Sequence, residues 1–476
     1  MIKRIALIGL GPHARRIYYP YLEEMLKNDP EAKFEVLIDL AINKNRIKKF
    51  LSERKIKPNH IVYLDTKNQI NPMTINPTAT EALRTYKINK AIISTEPKAH
   101  KIYLEECIRL NIDAVTDKPI TAPIGVVNSL EAADEIYNNA FELAKKIDGA
   151  KSRILVQCQR RNHTGYGRVF DIITSLVKEY NIPITFISIH HSDGMWNMPD
   201  EFIYRENHPY KYGYGKLMHS GYHFIDLLIK LFQVSSLAEG KTPDSVEIFS
   251  QYSRVTDQHC VINNDDYAKF FNKDVAKKFS NDMKEEILAD FGEVDSYSQI
   301  QLSKNKKILT TVQMSLIQSG FSQRAWSELP EDAYKSNGRI RHEYINIHIG
   351  PLASIQIHSY QSKQINEQSL AMYDVGGNSH FDIYIFRNSN LIGGKAFEKI
   401  QYGAEDLEKH KSNSYLGHNE YARHATLNEL MYDKPSNSEL KSHLATNKLL
   451  SEIYKNHARQ TSGKIPYSKF NAKEII

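Results

Sequence analysis

The segment Lys3 to Ala14, reading KRIALIGLGPHA, constrains the fold of this chain more than any other stretch. Ile5 to Ile8 form the apolar run that a parallel strand needs when both of its faces are covered. The run enters Gly9-Leu10-Gly11-Pro12-His13-Ala14, and a helix-like segment, Arg15 to Lys27, follows. Strand, glycine turn and helix in that order make a G-x-G-x-x-A turn suited to the phosphates of a dinucleotide. Gly9 permits the tight turn, Gly11 lets a pyrophosphate approach the backbone, and Ala14 lets the helix lie close to the strand. The helix amino terminus offers N–H donors and a partial positive charge to an anion. The next strand, Phe34 to Asp39, ends in an acid placed to accept hydrogen bonds from the adenosine ribose, and its charge repels a 2′-phosphate. No arginine directly follows Asp39, so NAD is expected rather than NADP.

At 476 residues the chain is too long for one core and predicts two domains. The net charge of +6 is spread among nearly as many acids as bases, with no basic arm, so nucleic acid is not an expected partner. Cys107, Cys158 and Cys260 lie far apart and form neither a disulfide framework nor a zinc motif, which fits a reducing cytoplasm. The apolar run after Lys3 and Arg4 is too short for a secretion leader, and no stretch approaches the ~20 residues needed to span a bilayer. A cytoplasmic protein without a membrane partner is the expectation.

Helix and strand signals alternate through the first third. Ile42 to Lys55 is helical in pattern, Ile61 to Asp65 a strand, and Asn71 to Thr80 a loop rich in Asn, Pro and Thr. Ala91 to Thr95 and Asp113 to Thr116 are further strands, separated by a helix that ends at Leu110. This alternation predicts an α/β fold with a Rossmann-type, doubly wound parallel sheet over residues 1–150, with the loops after each strand facing one crevice. Ser129 to Ile147 reads as a linking helix. Residues 151–476 then read as an α+β domain with a large open, mostly antiparallel sheet. Its strand signals are Arg153 to Gln159, Ile184 to His190, and a series from Val246 to Phe386; Gly221 to Phe232 is a strongly apolar helix. Asp265 to Phe291 reads as a helical insertion, and Asn419 to Met431 and Ser442 to His457 as closing helices.

Five motifs in chain order resemble the Gfo/Idh/MocA oxidoreductases, named for glucose–fructose oxidoreductase and inositol dehydrogenase. They are the Gly9/Gly11/Ala14 turn, Ser94-Thr95-Glu96-Pro97-Lys98-Ala99-His100, Asp117-Lys118-Pro119, Gln159-Arg160-Arg161, and Gly221-Tyr222-His223-Phe224-Ile225-Asp226. The segment Asn447 to Tyr467 is similar to the family's closing helix and tail. The resemblance implies hydride transfer between nicotinamide C4 and a hydroxyl-bearing carbon of a sugar, polyol or nucleotide sugar. It also implies a homodimer or homotetramer formed through the open sheet of the C-terminal domain. Residues implied to touch the cofactor are Gly9, Gly11, Pro12, His13, Ala14 and Asp39, then Ser94, Thr95, Pro97, His100, Asp117 and Lys118.

Removing hydride from an alcohol carbon requires a base for the hydroxyl proton, and histidine titrates nearest neutrality. His223 matches the family's histidine and is the expected base. Lys118, at the end of a crevice strand, is placed to hold the substrate oxygen and stabilise developing negative charge. His219 is a departure, because the family commonly carries an aspartate at that position. On a regular helix His219, His223 and Asp226 would share one face, but a histidine at 219 supplies no permanent negative charge. Imidazole and carboxylate also suit zinc or manganese, yet one helical turn offers no fourth ligand, and no metal is expected. Trp196 and the tyrosines up to Tyr214 suit sugar rings or, equally, an aromatic core or subunit contact. Arg161 is a candidate fork donor to a substrate carboxylate or phosphate, or a partner in a structural ion pair. Besides an NAD-linked dehydrogenase, two readings stay open: a glycosidase that works by oxidation, elimination and re-reduction on retained NAD, and a dinucleotide sensor without activity.

Overall fold

The computed structural model describes residues 2–65, 74–329, 338–361, 380–403 and 418–476. They fall into two compact units: 1–122 with 138–162 and 419–444, and 123–137 with 163–418 and 445–476. The division at residue 150 follows chain order, whereas the contacts return the segment 419–444 to the first unit.

In the first unit six strands, β1 (Lys3–Ile8), β2 (Ala32–Leu40), β3 (His60–Leu64), β4 (Lys90–Ile93), β5 (Asp113–Asp117) and β6 (Ile154–Gln157), form a parallel sheet. Their order is β3-β2-β1-β4-β5-β6, the doubly wound arrangement. β1 shows why the run Ile5 to Ile8 carries no polar residue. Ile5 and Leu7 pack into one core layer with Leu22 and Leu427, while Ala6 and Ile8 pack into the other with Leu104 and Ala140. Burying both faces leaves no solvent side for a polar residue. Lys90, buried at the start of β4, donates to Asp113 at 2.9 Å and to the Leu430 carbonyl at 2.9 Å, which pins the returning segment to the sheet.

The strand expected at Arg153 to Gln159 for the second domain is instead β6, parallel to β5 at the edge of this sheet, and two further elements differ in form. The single helix Arg15 to Lys27 is broken into Pro12–Arg16 and Tyr18–Asn28. Pro20 explains the break, since its ring excludes the carbonyl that residue 16 would present in one continuous helix. The expected loop Asn71 to Thr80 contains the start of a helix, Pro77–Thr85, capped by the Asn76 side chain, which accepts from Thr78 N at 3.0 Å. An Asn cap followed by Pro at the first helical position is a start signal that composition alone disguised as loop. Residues 71–73 of that expectation lie outside the described residues.

The second unit holds a nine-stranded sheet of β7 (Phe186–Ser192), β8 (Ser245–Ser253), β9 (Asp295–Lys304), β10 (Lys307–Ile317), β11 (Arg341–Ile349), β12 (Ala353–Gln361), β13 (His380–Arg387), β14 (Phe397–Gly403) and β15 (Tyr467–Asn471). The order is β14-β13-β12-β11-β7-β10-β9-β8-β15, antiparallel except for the β7–β10 pair. β14 and β15, the two edges, carry weak sequence signals. Between β8 and β9 stand four short helices, Val255–Val261, Asn264–Phe270, Lys273–Phe279 and Glu285–Leu288. The insertion therefore begins before Asp265. Asn263 and Asn272 cap two of its helices, and Tyr267, Ala276 and Phe279 form a small core with Met198. Among the described residues no helix is long and apolar enough to cross a membrane.

His457, in the helix Leu444–Thr461, is fully buried against β8 and β9, with Nε2 3.3 Å from Ser296 Oγ. Burial pulls its pKa down to about 3, and that of His259 in the insertion down to about 4. The unfolded chain therefore binds protons that the folded unit refuses, and stability falls as pH drops below about 6.5. We expect urea titrations between pH 7 and pH 5 to show a loss approaching 1.4 kcal/mol per pH unit for each such histidine. His457→Gln should flatten that slope; an unchanged slope would contradict the assignment.

Candidate functional site

The carboxyl ends of β1, β2, β4 and β5 bring together most of the expected cofactor residues. Gly9 has a left-handed φ of +89°, and a Cβ there would lie 2.4 Å from the Ser94 carbonyl oxygen, so the β1 turn sits directly on the β4 loop. A Cβ on Gly11, by contrast, would meet nothing within 4 Å. That open side is the space a pyrophosphate needs. Gly11 is also the N-cap of Pro12–Arg16, which no side chain caps and whose first turn holds no acid. Ala14 is buried where the helix crosses the sheet.

Asp39 lies at the end of β2 and grips this turn. Its Oδ2 accepts from Leu10 N at 2.7 Å, and its Oδ1 accepts from Leu40 N at 2.6 Å and Asn43 Nδ2 at 2.8 Å. Three donors leave acceptor capacity on a carboxylate for a ribose hydroxyl. The residues present thus fit a dinucleotide. Gly11 and the uncapped turn would hold the pyrophosphate and Asp39 the ribose.

Asp117 gathers three of its neighbours. Tyr18 donates its hydroxyl to Oδ1, Ser94 Oγ donates to Oδ2 at 3.1 Å, and His13 Nε2 stands 3.4 Å from Oδ1. Burial alone would raise its pKa, but the His13 imidazole and the Tyr18 hydroxyl hold the carboxyl well below the usual carboxylate range. Lys118 follows, half-buried, with a cis peptide bond to Pro119. His100 is fully buried: its Nδ1 is 2.8 Å from the Pro119 carbonyl and its Nε2 is 3.2 Å from the Thr95 carbonyl. Burial lowers its pKa, and a neutral ring carries one N–H, which the shorter contact places on Nδ1. His100 thereby ties the start of the helix that follows the β4 loop to the Lys118-Pro119 loop. Pro97 starts the single 3-10 turn of that loop.

In the second unit, the strongly apolar helix Tyr222–Ser235 is preceded by a π turn, Leu217–Gly221, in which Tyr222 N bonds to the Leu217 carbonyl. The wider turn breaks the regular spacing that would set His219, His223 and Asp226 on one α-helical face. His219 is buried, its Nε2 donating to the Pro209 carbonyl at 3.1 Å, with its ring stacked on His208 and edge-on to Tyr210 and Tyr214. Asp226 accepts from Thr446 Oγ1 at 2.7 Å. Among the described residues no group of three His, Cys, Asp or Glu side chains is placed to hold a metal.

Two expected substrate contacts are otherwise engaged. Arg161 lies in a 3-10 turn of the first unit, where its guanidinium donates to Asn437 O at 2.6 Å and to Ser442 O at 3.0 Å. It fastens the returning segment through backbone carbonyls. Trp196 has its ring stacked on Tyr267 and Phe271, with centroids 5.8 and 5.7 Å away. It is an anchor for the insertion rather than an open platform.

One cluster escaped the sequence reading altogether. At the ends of β7 and β11, Asp193 Oδ1 pairs with Arg339 at 2.6 Å, while its Oδ2 accepts from the fully buried Lys216 at 2.5 Å and from Ser220 Oγ at 2.8 Å. Arg341 Nε donates to His191 Nε2 at 3.0 Å and its other arm pairs with Glu343 at 2.7 Å. These residues are scattered over 150 positions and follow no motif.

No protein-family model matches the chain, and no curated protein sequence does. Solved structures do. The aldose-aldose oxidoreductase of Caulobacter crescentus, complexed with glycerol, aligns over 99% of this chain and 100% of its own, with a TM-score of 0.57 and 12% identity. An oxidoreductase of Agrobacterium radiobacter in complex with NAD+, L-tartaric acid and magnesium covers 100% of both chains at TM-score 0.53 and 12% identity. The WlbA dehydrogenase of Bordetella pertussis, with NADH and UDP-GlcNAcA, covers 98% of this chain and 97% of its own at TM-score 0.52 and 11% identity. The chain has the fold of the Gfo/Idh/MocA-type NAD-binding oxidoreductases.

Two substitutions test this site by stability alone. Gly9→Ala combines a left-handed φ with a backbone overlap, and should cost roughly 2–4 kcal/mol in chemical denaturation. Asp117→Asn should cost about 1–3 kcal/mol near neutrality. Because the folded carboxyl titrates below its unfolded value, its contribution is present above pH 4 and lost on acidification. The difference between Asp117→Asn and the parent should therefore narrow below pH 4.

Proposed function

We propose that this protein is an NAD-dependent oxidoreductase that moves a hydride between nicotinamide C4 and a hydroxyl-bearing carbon of a sugar, polyol or nucleotide sugar. The observation that carries the reading is the β1 turn: an open Gly11 face, an uncapped helix start, and Asp39 gripping Leu10 N from the tip of β2. The solved structures of the same fold include oxidoreductases bound to NAD+ or NADH, one of them with a nucleotide sugar.

The bound nicotinamide supplies the hydride acceptor or donor. Gly9 and Gly11 keep the backbone close and open for the pyrophosphate, and Asp39 favours NAD by repelling a 2′-phosphate. His223 takes the hydroxyl proton during oxidation and returns it during reduction, while Lys118 neutralises charge on the substrate oxygen. His219 departs from the family's pattern. Bonded through Nε2 to the Pro209 carbonyl, it supplies none of the permanent negative charge of the family's aspartate.

Denaturing the purified protein and weighing any released nucleotide, with a thermal-shift titration of NAD and NADP, tests the cofactor. Stabilisation by NAD, followed by NADH formation on a panel of sugars and nucleotide sugars, is the expected outcome. Tightly retained NAD with glycoside cleavage and no net NADH would move the reading to a closed oxidation–elimination cycle. No nucleotide and no shift with either would overturn it. On the productive substrate, His223→Asn and Lys118→Met should each lower kcat by about 10²–10⁴ while leaving the NAD affinity within a few-fold.

A further inference from the structure

The cluster around Asp193 contains a donor–acceptor constraint that decides a protonation state. An arginine Nε–H is always a donor, so its 3.0 Å contact makes His191 Nε2 an acceptor. A neutral imidazole with Nε2 as acceptor carries its proton on Nδ1. His191 Nδ1 lies 2.9 Å from Lys216 Nζ. An ammonium group has three donors and no lone pair, so it cannot receive that N–H; an amine can. The amine in turn gives a hydrogen to Asp193 Oδ2.

Charge counting leads to the same state. Arg339 and Arg341 are balanced by Asp193 and Glu343, and Glu343 is further held by the Tyr166 hydroxyl at 3.0 Å. A third cation at the fully buried Lys216 would be uncompensated. The other titratable groups that face it do not cancel it. His190 carries no negative charge in either form, and the Glu293 carboxyl is held by Leu217 N at 2.7 Å and the Tyr454 hydroxyl rather than by Lys216 Nζ.

We propose that Lys216 is a positioning residue that exchanges between ammonium and the neutral amine these contacts describe, and that its protonation state sets the hold of Asp193 on Ser220, and with it the turn that bears His219 and leads into His223. Asp193 Oδ2 is shared between Lys216 Nζ and Ser220 Oγ. When a proton is added to Nζ, the ammonium can no longer accept from Nδ1–H. His191 must then carry its proton on Nε2, and the Arg341 bond is lost. Burial, working against Asp193, draws the Lys216 pKa down to about 8, so the amine arrangement seen here prevails above that pH and the ammonium arrangement below it. The link to the turn rests on the oxidoreductase reading; the charge state of Lys216 does not.

The test is an NMR titration of the full chain with lysines labelled at Cε and Nζ, in which Lys216→Met identifies the Lys216 signal. We expect one lysine to titrate at least two pH units below the rest, and Arg341→Met to raise that midpoint by a unit or more, because His191 Nε2 is then released to carry the proton. Lys216 titrating with the other lysines, or a midpoint indifferent to Arg341→Met, overturns the proposal. Should Arg341→Met fail to fold, the pH dependence of unfolding decides. The folded amine refuses a proton that the unfolded lysine takes up, so the unfolding constant of the parent should rise about tenfold per pH unit as pH falls from 10.5 towards 8. Lys216→Met should lack that component, and its persistence would overturn the charge state. In turnover, Lys216→Met should abolish the limb of the kcat profile centred on the Lys216 midpoint; an unaltered profile rejects the coupling to the turn while the titration stands.

Discussion

The approach of Gly9 to the Ser94 carbonyl is the constraint on which the first unit depends. Only a residue without a side chain fits where an added Cβ would meet a backbone oxygen at 2.4 Å. Because the β1 turn lies flat on the β4 loop, Leu10 N points at Asp39, and Ser94 Oγ reaches Asp117. Four strand ends are thereby tied through one turn. His100, at the start of the helix after the β4 loop, closes the arrangement by donating to the Pro119 carbonyl of the β5 loop. This mesh of short bonds between loops fixes the donors of the candidate site in advance, as the proposed binding of a large anionic cofactor requires.

The second unit solves a different problem. Its sheet must place polar chemistry at strand ends that are deeply buried, where an unpaired charge costs several kcal/mol. The solution is a closed set of Asp193, Glu343, Arg339 and Arg341, bridged by His191 and Lys216. Ser220 extends the set into the π turn. The turn that carries the candidate chemistry is thus anchored on charge balance, in contrast to the backbone packing that anchors the candidate cofactor turn.

Several features were legible in the amino-acid sequence because their causes are local. The apolar run of β1, the glycines after it and the acid at the tip of β2 each express a requirement that residue type alone can meet. The Asn76-Pro77 helix start and the break imposed by Pro20 are equally local; they follow from capping and proline geometry even though composition pointed elsewhere. Arg161 and Trp196 were not legible in this way. An arginine at a strand end or a tryptophan in an aromatic stretch has several possible partners, and the partner is chosen by segments far along the chain: Asn437 and Ser442 for Arg161, Tyr267 and Phe271 for Trp196.

By itself, then, the sequence determined the parallel sheet of the first unit, its glycine turn, and the open sheet of the second, because periodicity and backbone sterics act over a few residues. Tertiary structure alone decided that His219 would sit in an aromatic box on a π turn, that the segment 419–444 would return to the first unit, and that Lys216 would meet His191 and Asp193. Hydrogen-bond roles and charge states are properties of groups in contact, and no spacing along the chain encodes a contact between residues 191, 216 and 341.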